Sequence, residues 1–185
     1  MNKIYILLVV AVCSLAQASL AQDTNSLRTD IGVFETETGV VLVKGFSLIG
    51  TISTGTDVIT VLSKETTDIN SGHKVDGLAI EIGGDNLPRE RILIDYDEID
   101  SLLSNIDYLN TITYDVTPLP SFEASYSTKA GLRVIADSVR REGGIKTYLA
   151  YGDRPRILLS SVQLTQFSGL IQQAKKDLDS IRTAK

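Results

Sequence analysis

The apolar positions along this chain change period more than once. From Gly39 to Thr54 (GVVLVKGFSLIGTIST) β-branched and aliphatic residues dominate, interrupted by Gly45 and Gly50. Such residues suit a pleated surface, and glycine inside a strand marks a bend or a bulge. One long bent strand, or two short ones, is expected. Gly55-Thr56-Asp57 signals a turn, Val58–Leu62 a second strand, and the polar stretch Thr66–Lys74 (TTDINSGHK) a loop. In Val75–Ile82, Leu78, Ile80 and Ile82 alternate with polar or small neighbours, which is strand periodicity. Gly83 to Pro88 turns the chain, and Arg91–Ile94 is a fourth strand.

The period then lengthens. Ile99, Leu102, Leu103, Ile106 and Leu109 recur at spacings of three and four and predict an amphipathic helix. Asp95, with Glu98 three residues later, has the form of a capping box. Asp95, Asp97, Glu98 and Asp100 crowd the end where the helix dipole favours negative charge.

The second half follows the same order. Thr111–Val116 reads as a linking strand, and Pro118 and Pro120 break the chain. Phe122–Tyr126, Leu132–Val139, Ile145–Tyr151 and Arg156–Leu159 read as strands, with Lys129-Ala130-Gly131, Arg140–Gly144 and Gly152–Pro155 as turns. Ser160 and Gln163 form a second capping box. Behind it Leu164, Phe167, Ile171, Ala174, Leu178 and Ile181 make one helical stripe.

Two segments bring the halves into register. RILIDYDEIDSLLSNI (Arg91–Ile106) and RILLSSVQLTQFSGLI (Arg156–Ile171) share the Arg, the following Ile-Leu and the final Ile. Each is entered through Gly-Asp, a proline and a pair of arginines. The expected fold class is α+β: mainly antiparallel strands with two amphipathic helices. The expected arrangement is two ββββα repeats, 39–110 and 118–185, each too thin to bury its own apolar face and sharing one core. They make a single domain over 39–185, preceded by a polar lead-in over 22–38 that is mobile from Gln22 to Asp30.

The ends and composition add a location. Met1-Asn2-Lys3, the apolar run Ile4–Val12 and Ser19-Leu20-Ala21 before Gln22 form the three-part pattern of a signal peptide over 1–21. The apolar run is too short to span a bilayer, which takes roughly 20 residues. The one cysteine, Cys13, lies inside the signal peptide, and Val12 before it is too large for a lipoprotein site. Cleavage near Ala21 leaves no cysteine, so the core alone must hold the fold. A chain of about 160 residues can bury some 70% of its unfolded surface, which suffices. No Asn-x-Ser/Thr sequon occurs. A bacterial periplasmic or secreted protein is expected, with no transmembrane segment after cleavage.

The charge balance of −5, without tryptophan or a dense basic block, gives no footprint for nucleic acid. The chemistry-bearing residues are few. His73 is the sole histidine and sits in a polar loop, so no Ser-His-Asp triad assembles around it. Gly45-Phe46-Ser47-Leu48-Ile49 misses the second glycine of a nucleophile elbow. Counted from Asp95, an EF-hand loop would need Gly where Asp100 stands and Glu where Ile106 stands. Neither Gly83-Gly84 nor Gly143-Gly144 belongs to a phosphate-binding loop. No catalytic residue, metal ligand or cofactor is nominated.

The arginine pairs are the remaining candidates. If the halves are related by a pseudo-twofold axis, Arg91 and Arg156 are equivalent, and with Arg89 and Arg154 they could clamp a carboxylate or phosphate. Alternatively they pair with local acids such as Asp85, Glu90 or Asp153. The expected function is an exported, non-catalytic module that binds a protein or small-molecule partner. Two alternatives stand beside it: a carboxylate-based hydrolase of polysaccharide or cell-wall material, and a structural envelope protein that assembles through a sheet edge, sought between Thr51 and Thr67.

Overall fold

A computed structural model describes residues 28–55, 57–84, 87–139 and 144–183. The expected signal peptide, Cys13, the lead-in before Arg28 and most of the turn at 140–144 lie outside the described residues. The chain is α+β. Strands β1 (Leu42–Thr54), β2 (Asp57–Asp68), β3 (Lys74–Gly84) and β4 (Leu87–Asp95) form one antiparallel sheet in chain order. Strands β5 (Ser121–Ser127), β6 (Arg133–Val139), β7 (Ile145–Ala150) and β8 (Ile157–Leu159) form a second. Helix α1 (Asp30–Phe34) precedes the first sheet, α2 (Ile99–Thr111) follows it, and α3 (Ser161–Thr183) follows the second.

The long first strand is a single bent one. Its register against β2 shifts between Leu48 and Gly50. A Cβ at Gly50 would lie 2.7 Å from Leu170 Cδ2, so the missing side chain lets α3 come close at the bend. β2 runs on to Asp68, which shortens the expected polar loop. Thr111–Val116, expected as a linking strand, instead holds a single 3-10 turn at Tyr114–Val116.

The helices lie across the two sheets. α2 packs on β5 and β6, whereas α3 packs on β1, β2 and β3, and the helices pack on each other. Each helix therefore covers chiefly the sheet of the other half. Ile59, Ile80 and Ile92 of the first sheet, Val134 and Leu149 of the second, and Leu102 and Phe167 of the helices belong to one buried cluster. Among the described residues no helix is long and apolar enough to cross a membrane.

α1 occupies the opposite face of the first sheet. Ile31 joins Ala79 of β3 and Leu93 of β4 in a small second cluster, with Leu62 and Val75 packed beside it. The part of the lead-in that is described is thus tied down. Thr29 accepts a hydrogen bond from the Gly32 N–H, and the Asp95 carboxylate accepts from the N–H groups of Asp30 and Ile31. That use of Asp95 removes the expected capping box, because no side-chain cap bond forms at Asp95 or Glu98. A 3-10 turn, Tyr96–Glu98, leads into α2 instead. The box at α3 does form. Gln163 N–H donates to Ser160 Oγ at 3.2 Å, and Ser160 N–H donates to Gln163 Oε1 at 2.9 Å.

Candidate functional site

The four arginines fall into different neighbourhoods. Arg91, on β4, holds Glu81 of β3 with Nε at 2.8 Å and Nη2 at 2.5 Å. Arg89 lies 3.8 Å from the other oxygen of the same carboxylate. Arg156 pairs with Glu123 of β5 at 3.0 Å, on the second sheet. Arg154 is mostly buried and bridges the halves, with Nε 2.8 Å from Glu90 and Nη2 donating to the Pro88 carbonyl. Arg89 and Arg91 are brought together on one acid; Arg156 is held by acids of the other sheet.

An open groove of about 540 Å³ runs between α1, the start of β3 and the end of α3, lined by Asp76, Asp95, Tyr96, Asp97 and Arg182 among others. Its charges are turned on one another. Arg182 pairs with Asp76 at 3.3 Å and stacks 4.0 Å from the Tyr96 ring centre, whose hydroxyl donates to Asp179. Lys129 pairs with Asp95 at 3.0 Å and Asp97 at 3.2 Å. Burial raises the pKa of Glu98, but that side chain accepts the Lys129 backbone N–H at 2.7 Å and does not line the groove. Among the described residues, the carboxyl whose pKa burial raises therefore lies outside this groove. Among the described residues no group of three or more His, Cys, Asp or Glu side chains is placed to hold a metal ion.

The longest of the four edge strands is β1, at one side of the first sheet. β1 has a neighbour on one side only. The Ile69 N–H donates to the Val41 carbonyl, which fixes the phase of the β1–β2 ladder. In an antiparallel pair, bonded and non-bonded positions alternate. Val43, Gly45 and Ser47 therefore direct their backbone groups into the sheet. Leu42, Lys44, Phe46 and Leu48 direct theirs outward. Beyond the register shift the edge is covered, since the Gln163 side chain donates to the Ser53 carbonyl at 2.9 Å. The open stretch is Leu42–Leu48.

That stretch is apolar and set on a firm base. Val43 is 51% exposed and Leu48 64%. Phe46 lies against two cations, with Lys64 Nζ 4.2 Å and the Arg91 guanidinium 4.7 Å from its ring centre. Lys64 itself is buried and lies 2.5 Å from Glu35 Oε1. Glu35 also takes Lys44 at 2.8 Å and the Thr66 hydroxyl at 2.8 Å. Burial alone would raise the Glu35 pKa, but bonds from Lys44, Lys64 and Thr66 outweigh it and hold the carboxyl below the ordinary range. Burial pushes the Lys64 ammonium down, against the pull of Glu35.

The open edge lies outside the stretch where sequence reasoning sought it. Most of Thr51–Thr67 belongs to β2, which is paired on both sides. The run VVLVKGF carries the apolar density of a buried strand, and which strand is outermost is set by sheet order, which that run does not encode. Comparison of the chain with protein-family models, curated proteins and solved structures gives no match.

Proposed function

We propose that this protein is an exported, non-catalytic interaction module that accepts an extended polypeptide segment along β1. The observation that carries this reading is the open edge at Leu42–Leu48, where outward backbone groups are flanked by exposed Val43, Phe46 and Leu48. An added strand gains main-chain hydrogen bonds there and seats alternate side chains on either face. Exposed edges are usually blunted by charge, proline or short length. β1 has 13 residues and no proline, and Lys44, its one charge, is tied to Glu35. Export rests on the signal-peptide pattern of residues 1–21. The same reading takes the two ββββα halves as repeats, supported by their common element order and the aligned segments at Arg91 and Arg156.

A photo-crosslinking residue at Val43, introduced in the native cell, tests this. Its side chain is exposed, and its backbone groups face β2. One discrete covalent adduct is expected from position 43 and none from Gln172, which is exposed on α3. Leu48→Pro removes an outward N–H and should abolish the adduct. A pattern at position 43 that matches Gln172, or one indifferent to Leu48→Pro, would refute strand addition.

A further inference from the structure

We propose that the segment taken up by β1 is β1 of a second copy, antiparallel, on a twofold axis through Gly45. This rests on the interaction reading above and names its partner. Only registers that set outward residues opposite outward residues can form the ladder. Every residue-centred axis meets that condition, and within the open stretch three of them, at Lys44, Gly45 and Phe46, pair at least five residues of each copy. A centre at Lys44 places two lysines directly opposite, and like charges in that position are destabilising. A centre at Phe46 sets Leu42 opposite Gly50, past the register shift and against Leu170.

The Gly45 centre has neither fault. Leu42 then meets Leu48 of the second copy, Val43 meets Ser47, and Lys44 meets Phe46. The two glycines face each other as a non-bonded pair, the closest approach in an antiparallel ladder, at about 4.5 Å between Cα atoms. Lys44, the only charge on the strand, lies 2.8 Å from Glu35 and in this register stands opposite Phe46 and not opposite a second lysine. Leu42 opposite Leu48 joins apolar to apolar, so the strand is complementary to itself. An isologous twofold contact is the commonest way for a chain to assemble. The result is one eight-stranded sheet spanning two copies, with β1 of each at its centre; each copy commits its β1 edge to the other, so the twofold contact is closed.

Cysteine pairing reads the register directly. The full chain carrying Cys13→Ser has no other cysteine. At Gly45 an added Cβ meets only the Glu65 carbonyl oxygen, at 3.8 Å, so Gly45→Cys is tolerated. Under mild oxidation Gly45→Cys should give a disulfide-linked dimer. Val43→Cys mixed with Ser47→Cys should give a mixed dimer, and Val43→Cys alone should give none. By light scattering the unmodified chain should be dimeric, with Leu48→Pro raising the dimer dissociation constant at least tenfold. A monomer at all concentrations, with no Gly45→Cys disulfide, overturns self-pairing. If the Val43 photo-adduct then joins a different polypeptide, the interaction reading stands without it. If that adduct is absent too, both fall.

Discussion

An ammonium taken out of water costs several kcal/mol unless a carboxylate and further hydrogen bonds meet it. Lys64 is 1% exposed, and Glu35 is its ion-pair partner at 2.5 Å. Glu35 is better supplied, since Lys44 and Thr66 also reach it. The two deletions should therefore differ. Glu35→Ala strands a buried charge and should cost about 3–5 kcal/mol, whereas Lys64→Met, which fills the same space, should lie within about 1 kcal/mol of wild type or exceed it. Urea titrations of both variants at neutral pH measure this. The pH dependence separates them again. Glu35 is held below the usual carboxylate range, so its contribution is present above that range and is lost as pH falls through the lowered value. Lys64 is also lowered, so between its folded value and the ordinary lysine range the unfolded chain binds more protons. Stability should rise with pH across that window, and Lys64→Met should abolish the rise. Equal losses from Glu35→Ala and Lys64→Met would show that the pair does not hold the ammonium.

The helix starts show what a local pattern can and cannot settle. Ser160 and Gln163 close a capping box because the distant contact of Gln163, to the Ser53 carbonyl, uses its Nε2 and leaves Oε1 for Ser160. Asp95 and Glu98 have the same spacing, but their carboxylates are claimed from a distance: Asp95 by α1 and Lys129, Glu98 by the Lys129 N–H. Ser160→Ala should cost about 1 kcal/mol, the usual value of a cap. Asp95→Ala should cost about 2–3 kcal/mol, since it leaves the N–H groups of Asp30 and the buried Ile31 without their acceptor and Lys129 with Asp97 alone. Hydrogen exchange at Ile31 and Leu164 distinguishes the two: Asp95→Ala should deprotect the first and spare the second, and the reverse would mean that Asp95 does not anchor α1. The same distinction governs legibility. Alternation in Phe122–Tyr126 and the stripe from Leu164 to Leu178 are properties of neighbouring residues, and both elements stand where the sequence places them. The docking of Ile31 under Leu93, the pairing of Arg154 with Glu90 and the outermost position of β1 depend on partners far along the chain. The period of a segment does not name its partner, which is why the range Thr51–Thr67 takes in the end of β1 and most of β2 together.

At the scale of the molecule the exchange of helices decides how stability is shared. Had each helix lain on its own sheet, the halves would be two thin layers meeting at a secondary interface. Instead α3, which ends the second half, covers β1, β2 and β3, while α2, which ends the first, covers β5 and β6. Neither sheet can keep its apolar face dry if the other half unfolds. Phe167 is fully buried in the common cluster, on the helix that touches α2 and both sheets. Phe167→Ala should therefore cost about 3–5 kcal/mol, the range for losing a buried aromatic ring. The loss should appear equally in both halves. Amide exchange at Ile80 in the first sheet and Val134 in the second should accelerate by the same factor, and thermal unfolding should remain one transition at a lower temperature, as two-state behaviour demands. If Ile80 were deprotected while Val134 kept its wild-type protection, the sheets would be independent units and the shared core would not be what holds the first sheet, and its open edge, in place.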